Sequence, residues 1–226
     1  MSYISLFVII CMFLITSCND SSQCTCPEDN SQNDTITKDT FKIVKIGYQV
    51  WMTKNLDVST YRNGDTIRHA STQRDWQDAA NKGEGAWCYY SHDSKNGAIY
   101  GKLYNWYAVN DSRGLAPKGY HVPSNAEWTV LTDFLGGETV AGEKLKSSGG
   151  WADSGNGTNS SGFDFLPGGY CDGLGDFFSI TENGSVWSSS VDIFKALNLG
   201  LSNENSRVLW YLNVKGFGLS VRCIKD

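Results

Sequence analysis

Cysteine and histidine are the residue types in this 226-residue chain that most often bind metals or act as nucleophiles. The three histidines, His69, His92 and His121, lie more than twenty residues apart, so no pair has metal-ligand spacing. The chain also lacks the G-x-S-x-G, H-E-x-x-H and phosphate-loop motifs of common enzymes. A carboxylate pair for glycoside hydrolysis would leave no such motif, because only its separation in the fold matters. The chemistry-bearing residues therefore favour a binding protein over an enzyme.

The N-terminal segment predicts an exported, lipid-anchored protein. Residues Tyr3–Ile15 are apolar, a stretch too short to span a membrane and typical of a secretory signal. The next residues, "LITSC", resemble a bacterial lipobox, in which cleavage leaves the cysteine as an acylated N-terminus. This predicts a signal peptide over 1–17 and lipidation of Cys18, although Met1–Phe7 contains no Lys or Arg. An ordinary signal peptide and an uncleaved anchor are the alternatives.

Residues 18–38 are predicted to form a disordered tether, because they are polar and contain almost no large apolar side chains. Cys24 and Cys26 supply only half of a structural metal site, so exposed thiols or mixed disulfides are the simpler interpretation. The net charge of the chain is −5, and no block of Lys and Arg is longer than two residues. The sequence therefore predicts no nucleic-acid partner.

Residues 39–226 are predicted to form one domain with strands near both ends. Gly47-Tyr48 separates two β-rich runs and predicts a hairpin with a type II′ turn. Strands over Phe194–Leu201, Arg207–Val214 and Phe217–Ile224 predict an antiparallel meander. The last strand alternates in character, with Phe217, Leu219, Val221 and Cys223 on one face and Gly218, Ser220 and Arg222 on the other. This pattern predicts one buried face, which includes Cys223, and one face towards solvent.

Two short helices are predicted between these strands. Ser124 and Glu127 have the spacing of a capping box, in which each side chain bonds a backbone N–H at the helix start. The apolar stripe of this helix comprises Trp128, Leu131, Phe134 and Leu135. The second helix is predicted over Glu138–Ser147, and the stretch "STQRDWQDAANKG" is either a short helix or a loop. His121, just before the capping box, is interpreted as a structural hydrogen-bonding residue.

The glycine-rich stretch Ser148–Gly184 is the best sequence candidate for a ligand site. So long a loop in a compact domain is usually functional or held by its own packing. The candidate ligand-binding residues are Trp151, Asn159, Tyr170, Asp172 and Phe177. They combine flat apolar faces with polar groups, which suits a sugar ring or a protein partner. The alternative is an internally packed loop with Trp151 and Phe177 as plugs.

Six blocks carry a family resemblance: "VKIGYQVWMTKNL", "YGKLYNWYAV", "LAPKGYHVPSNAEW", "AGEKLKSSGGW", "GTNSSGFDFLPGGY" and "GLSVRCIKD". In order, they resemble the Fibrobacter succinogenes major paralogous domain, a family mainly of secreted proteins and lipoproteins of Bacteroidetes and Fibrobacteres without a settled activity. "HVPSNAEW" and "NGSVWSSS" more distantly resemble blocks of the formylglycine-generating-enzyme fold, a relative of C-type lectins. The resemblance implies an α+β, C-type lectin-like domain with two short helices, short antiparallel sheets and a long irregular loop region.

The resemblance also bears on cysteines and cofactors. Formylglycine-generating enzymes bind copper with two close cysteines, whereas Cys88, Cys171 and Cys223 fall in different blocks. Cys88 and Cys223 lie in blocks similar to those of the family, which implies a Cys88–Cys223 disulfide, with buried free thiols as the alternative. The "EPN", "QPD" and "WND" calcium motifs of sugar-binding C-type lectins are absent. No metal or cofactor is therefore predicted, and calcium at Asp153–Asn159 or at Asp172 and Asp176 is a weak alternative.

Together these observations predict a lipoprotein that is anchored in the outer membrane, on its periplasmic or its cell-surface face. Its domain would recognise a glycan or a protein without catalysis. The alternative is a structural or assembly component of the outer envelope. The predicted partners are the membrane, through the lipid anchor, and a glycan or an envelope protein. A formylglycine-generating-type oxidase is the least favoured function.

Overall fold

The structure, a computed structural model, describes residues 41–226. The predicted signal peptide over 1–17, the lipidation of Cys18 and the tether over 18–38 lie outside the described residues. The strands are β1 (Ile43–Ile46), β2 (Gln49–Met52), β3 (Arg68–His69), β4 (Ala86–Cys88), β5 (Leu103–Asn105), β6 (Tyr120–His121), β7 (Gly168–Cys171), β8 (Phe177–Ile180), β9 (Asn183–Val191), β10 (Lys195–Ser202), β11 (Leu209–Val214), β12 (Gly218–Leu219) and β13 (Ile224–Lys225). The helices are α1 (Gln73–Lys82), α2 (Ser94–Tyr100), α3 (Trp106–Val109), α4 (Asn125–Phe134) and α5 (Ala141–Leu145). Within residues 41–226, no helix is long and apolar enough to cross a membrane.

The fold is α+β, as predicted, and its strands form two sheets. The smaller sheet has the order β1-β2-β13-β6, so the first hairpin pairs with the last strand of the chain. The larger sheet has the order β11-β10-β9-β7-β12-β5-β4-β3, with β8 paired to β7. Most pairs are antiparallel, but β3 with β4 and β7 with β9 are parallel. The prediction of antiparallel sheets is therefore correct only in part.

The predicted capping box is confirmed at the start of α4. Ser124 Oγ accepts a hydrogen bond from the Glu127 N–H, and the Glu127 carboxylate accepts one from the Ser124 N–H at 2.8 Å. These bonds satisfy two backbone donors that a helix otherwise leaves without partners. The carboxylate also contacts His121 Nε2 at 2.7 Å, and His121 Nδ1 lies 2.7 Å from Asp226 Oδ1. Although burial opposes the charged ring, these hydrogen bonds raise the pKa of His121, and its structural role is confirmed.

The prediction of two helices is wrong, because the described residues contain five. The predicted second helix is shorter than expected and spans only α5. The ambiguous stretch before Gly83 is helical: Thr72 caps α1, and Gly83 ends it with φ of +66°. The other two helices, α2 and α3, have one or two turns and begin at the capping side chains of Asp93 and Asn105. Segments this short carry too few turns for a helical period to be visible in the sequence.

The predicted C-terminal strand is interrupted. The stretch Phe217–Ile224 divides into β12 and β13, and Ser220 between them bridges to Val186. Every residue from 218 to 224 is buried, so the predicted alternation of a buried and a solvent-facing side is wrong. Arg222, expected in solvent, is fully buried. The reason is that hydrophobic clusters cover the segment on both sides, with Cys223 in one cluster and Ile224 in another.

Helix α4 packs against the small sheet through aromatic side chains. The ring centroid of Trp128 lies 4.7 Å from that of Trp51 and 5.9 Å from that of Phe163. Phe134, predicted in the buried stripe, is instead 62% exposed. Its ring covers the β1–β2 turn, where Gly47 has φ of +61° and an added Cβ would meet the ring at 3.1 Å. The predicted hairpin at this turn is confirmed.

Candidate functional site

Two aromatic side chains of the glycine-rich loop, Trp151 and Phe177, pack against residues outside the loop. The Trp151 ring is buried, and its Nε1 donates a hydrogen bond to Ser147 Oγ at 3.0 Å. Phe177 packs against Tyr90 and His92, with ring centroids 5.1 Å and 5.0 Å away. Both side chains therefore pack against neighbouring side chains, which agrees with the alternative interpretation of an internally packed loop.

The polar candidates in the same loop hold turns. Asn159 Oδ1 accepts a hydrogen bond from the Asp164 N–H at 2.9 Å. Asp172 Oδ1 accepts from the N–H groups of Leu174 and Asp176, at 2.8 Å and 3.0 Å. Short polar side chains favour such turns because they can bond nearby backbone groups. Asn159 and Asp172 are therefore occupied in their own turns.

No metal centre is formed by the loop carboxylates. In residues 41–226, no group of three or more His, Cys, Asp and Glu side chains is arranged to hold a metal ion. The Asp153 carboxylate accepts a hydrogen bond from Asn203 Nδ2 at 3.2 Å, and that of Asp172 serves its own turn. The two stretches considered for calcium thus use their oxygens within the protein.

Tyr170, one of the predicted ligand residues, lines a groove of about 210 Å³ on the larger sheet. We call it the amide groove. Its lining residues are Tyr170, Asn183, Ser185, Asn198, Gly200, Leu201, Tyr211, Asn213, Phe217 and Leu219. None of these residues carries a charge at neutral pH. The groove therefore offers hydrogen bonds and apolar surface, and its lining contains no carboxylate, histidine, lysine, arginine or cysteine.

The floor of the groove comes from one face of β9, β10 and β11. On β10, Gly200 pairs with Ser185 of β9, and Asn198 pairs with Tyr211 of β11. Because side chains alternate along a strand, these positions share one face. The opposite face carries Val186 and Leu199, which are buried in the core. The sheet thus has a core side and a polar side, and the polar side forms the floor.

Aromatic rings form the walls. Tyr170 of β7 stacks on Phe217, with ring centroids 6.1 Å apart and an angle of 6° between the rings. Opposite, the Tyr211 ring lies over Gly200, where an added Cβ would come within 2.7 Å of it. Any larger residue at Gly200 would displace this ring. Tyr211 is 46% exposed, so much of its surface is available to a ligand.

Asn198 lies at the bottom of the groove and is fully buried. Its Oδ1 accepts a hydrogen bond from Asn213 Nδ2 at 3.0 Å. Its own Nδ2 has no partner among the described residues. A buried donor without a partner is costly, so native proteins rarely keep one unless water or a ligand completes it. The Asn198 amide is therefore the feature of the groove that points most directly to a ligand.

One sequence signal could have located this groove. The strand "KALNLGLS" places an asparagine and a glycine two residues apart within an apolar run. On a strand that faces the core on one side, polar or small residues on the other side mark a surface that is not simply packed. The partner residues on β7, β11 and β12 have no comparable signal, because only the strand order brings them to β10.

The cysteines do not form the predicted bridge. Cys88, Cys171 and Cys223 are buried free thiols, which was the alternative interpretation. Cys88 and Cys171 belong to the same hydrophobic cluster, whereas Cys223 belongs to another. The Cys88–Cys223 disulfide is therefore wrong, because its two sulfurs lie in different parts of the core.

Comparison with known proteins places the chain in one family. The family model described as Fibrobacter succinogenes major domain matches residues 44–225, which include every residue of the amide groove. No curated protein matches the chain, and no solved structure does. The family match accounts for nearly the whole folded part, in agreement with the sequence blocks. The chain therefore belongs to the Fibrobacter succinogenes major domain family.

Proposed function

We propose that this domain is a non-catalytic recognition module that binds an uncharged sugar in the amide groove. The observation that carries the proposal is the buried Asn198 amide, whose Nδ2 has no partner at the bottom of an aromatic-walled groove. A sugar hydroxyl is both a donor and an acceptor, so it could accept from Asn198 Nδ2 and bond to neighbouring amides and hydroxyls at once.

The other groups in the groove suit the same ligand. Pyranose rings have apolar C–H faces, and Tyr170, Tyr211 and Phe217 supply flat apolar surfaces with restricted motion. The groove is smaller than the sites of about 300–1,000 Å³ that hold drug-sized ligands, so a single sugar unit fits it better than a large ligand does. The uncharged lining favours a neutral sugar, because an acidic sugar would be desolvated there without a cationic partner.

The fold and location that we propose follow the sequence. We infer a C-type lectin-like arrangement, which is supported by the pairing of the first hairpin with the last strand. We also infer that the chain is a lipoprotein of the outer membrane, anchored through Cys18, which is supported by the "LITSC" stretch. Metabolic labelling with palmitate is expected to label the wild-type chain and not Cys18→Ser. Equal labelling of both would contradict the anchor.

Substitution of Tyr211 by alanine tests the sugar site. The purified wild-type protein is applied to an array of neutral oligosaccharides and uronic-acid oligosaccharides, and we expect binding to neutral ones. Tyr211→Ala removes an aromatic wall worth about 1–1.5 kcal/mol, so affinity should fall roughly tenfold. Tyr48→Ala is the matched control, because Tyr48 is 80% exposed and does not line the groove.

The thermal midpoints of both variants should stay close to that of the wild type, so that lost binding is not lost folding. Absence of any signal on the array would contradict the proposal, as would Tyr211→Ala binding as tightly as the wild type. In the first case, stable co-purification with envelope proteins would favour the structural or assembly role. Copper retained by the purified protein would favour the oxidase instead.

A further inference from the structure

Cys88 and Cys171 lie together in the core although they are far apart in the sequence. Both are fully buried, in a cluster that also contains Trp76 and Ala79 of helix α1. Cys88 and Cys171 are the two cysteines of this cluster. Cys223, the third thiol of the described residues, belongs to a different cluster.

The course of the chain explains how these residues meet. Cys88 ends β4 and Cys171 ends β7, and in the larger sheet β12 and β5 lie between those strands. The chain that leaves β4 nevertheless turns towards β7. Tyr90 packs so closely on β7 that a Cβ added at Gly169 would meet its ring at 2.8 Å. The same ring contacts Phe177 of β8, which pairs with Cys171. Tyr90 therefore holds the end of β4 against the end of β7.

We infer that Cys88 and Cys171 are a disulfide-forming pair, which is oxidised when the chain folds in an oxidising environment. The oxidant is a disulfide-bearing molecule such as oxidised glutathione or a thiol oxidoreductase. Each protein thiol gives up its proton, one sulfur–sulfur bond forms between Cys88 and Cys171, and the disulfide of the oxidant is reduced to two thiols. The two electrons lost by the protein sulfurs are the two gained by the oxidant.

Because Cys88 and Cys171 are buried in the folded protein, the thiol–disulfide exchange takes place during folding. Burial, together with the neighbouring Cys171 thiol, raises the pKa of the Cys88 thiol well above its ordinary value. The thiolate is the reactive form, and both sulfurs are buried, so Cys88 in the folded protein is nearly inert towards external disulfides. The bond therefore forms while the cluster is still open, during folding. Cys223 has no thiol within its cluster, and burial raises its pKa to about 12, so it remains a free thiol.

Peptide mapping of the full-length chain tests the pairing. The protein is refolded in a glutathione redox buffer, free thiols are alkylated in denaturant, and tryptic peptides are identified by mass spectrometry. Trypsin places each of the three cysteines in a separate peptide, because Lys or Arg residues lie between them. We expect a linked Cys88–Cys171 peptide, two hydrogens lighter than the sum of the two free peptides, and an alkylated Cys223. Alkylation at both Cys88 and Cys171, or a bridge that includes Cys223, would overturn the inference.

Thermal denaturation provides the second measurement. The bridge closes a loop of more than eighty residues, so the oxidised protein should melt about 10 °C above the reduced protein. In Cys88→Ala and in Cys171→Ala, this redox-dependent difference should disappear. The matched control Cys223→Ala should retain it. Equal melting temperatures of the oxidised and reduced wild-type protein would count against the pair even if the variants failed to fold.

Discussion

Replacement of Arg222 by methionine is expected to lower the free energy of unfolding by about 3–5 kcal/mol. The guanidinium is fully buried and donates to the carbonyl oxygens of Met52 at 3.0 Å, Phe163 at 2.6 Å and Asp164 at 3.2 Å. It also donates to Asn55 Oδ1 at 3.0 Å. Methionine keeps an unbranched apolar stem but leaves these acceptors buried without donors, and backbone carbonyls cannot be removed in compensation.

Arg222→Met also removes the cost of burying a charge, but this gain does not offset the loss of the four hydrogen bonds. Burial lowers the pKa of Arg222 to about 9, which still leaves the side chain charged at neutral pH. Its position over the Phe163 ring, 4.5 Å from the centroid, adds a cation–π contact. The test is chemical denaturation followed by circular dichroism. The matched control is Arg207→Met, an exposed arginine, for which a change within about 0.5 kcal/mol is expected.

An Arg222→Met protein as stable as the Arg207→Met control would contradict the assigned role. It would mean that water reaches the carbonyl oxygens of Met52 and Phe163 once the guanidinium is gone. A change in the slope of unfolding free energy with denaturant would instead indicate that the variant alters compactness, and the loss would then have to be read from the midpoint of a thermal melt.

Local rules in the sequence were sufficient where neighbouring residues decide the structure. The capping box depends only on Ser124, Glu127 and the backbone between them, so its spacing predicted the start of α4 correctly. The Gly47 turn is local in the same way. Arg222 is different, because its burial depends on a segment around Phe163 that lies far away in the sequence. An alternating pattern cannot reveal that the nominally polar face of a strand is also covered.

The candidate site also combines features that the sequence predicts with features that depend on residues far apart in the chain. Asp172 and Asn159 looked like ligand residues because of their types, but the same short polar side chains also stabilise turns, and sequence alone does not separate the two uses. Tyr170 was found for its aromatic ring. Its partners Asn198 and Tyr211 could not be identified, since they reach it only through the order β11-β10-β9-β7 in the larger sheet. The pairing of Cys88 with Cys171 likewise follows from the path of the chain after β4.

Replacement of Trp128 by alanine is the second large effect that we expect, with a loss of about 3–5 kcal/mol in unfolding free energy. The ring is fully buried between Trp51 and Phe163, and its removal would leave a cavity in the aromatic core between α4 and the small sheet. The Trp128 Nε1 has no hydrogen-bond partner among the described residues, so packing is the contribution of the indole that the structure shows.

This distinction makes Trp128→Phe the informative comparison. Phenylalanine restores most of the ring and removes a buried donor that makes no bond, so its cost should be about 1–2 kcal/mol, well below that of alanine. Phe134→Ala on the same helix is the control, because that ring is 62% exposed and its loss should cost less than about 1 kcal/mol. Equal losses for Trp128→Phe and Trp128→Ala in denaturant titrations would show that the indole N–H has a partner, such as a buried water. In that case α4 would be held to the small sheet by a polar contact as well as by the packing of aromatic rings.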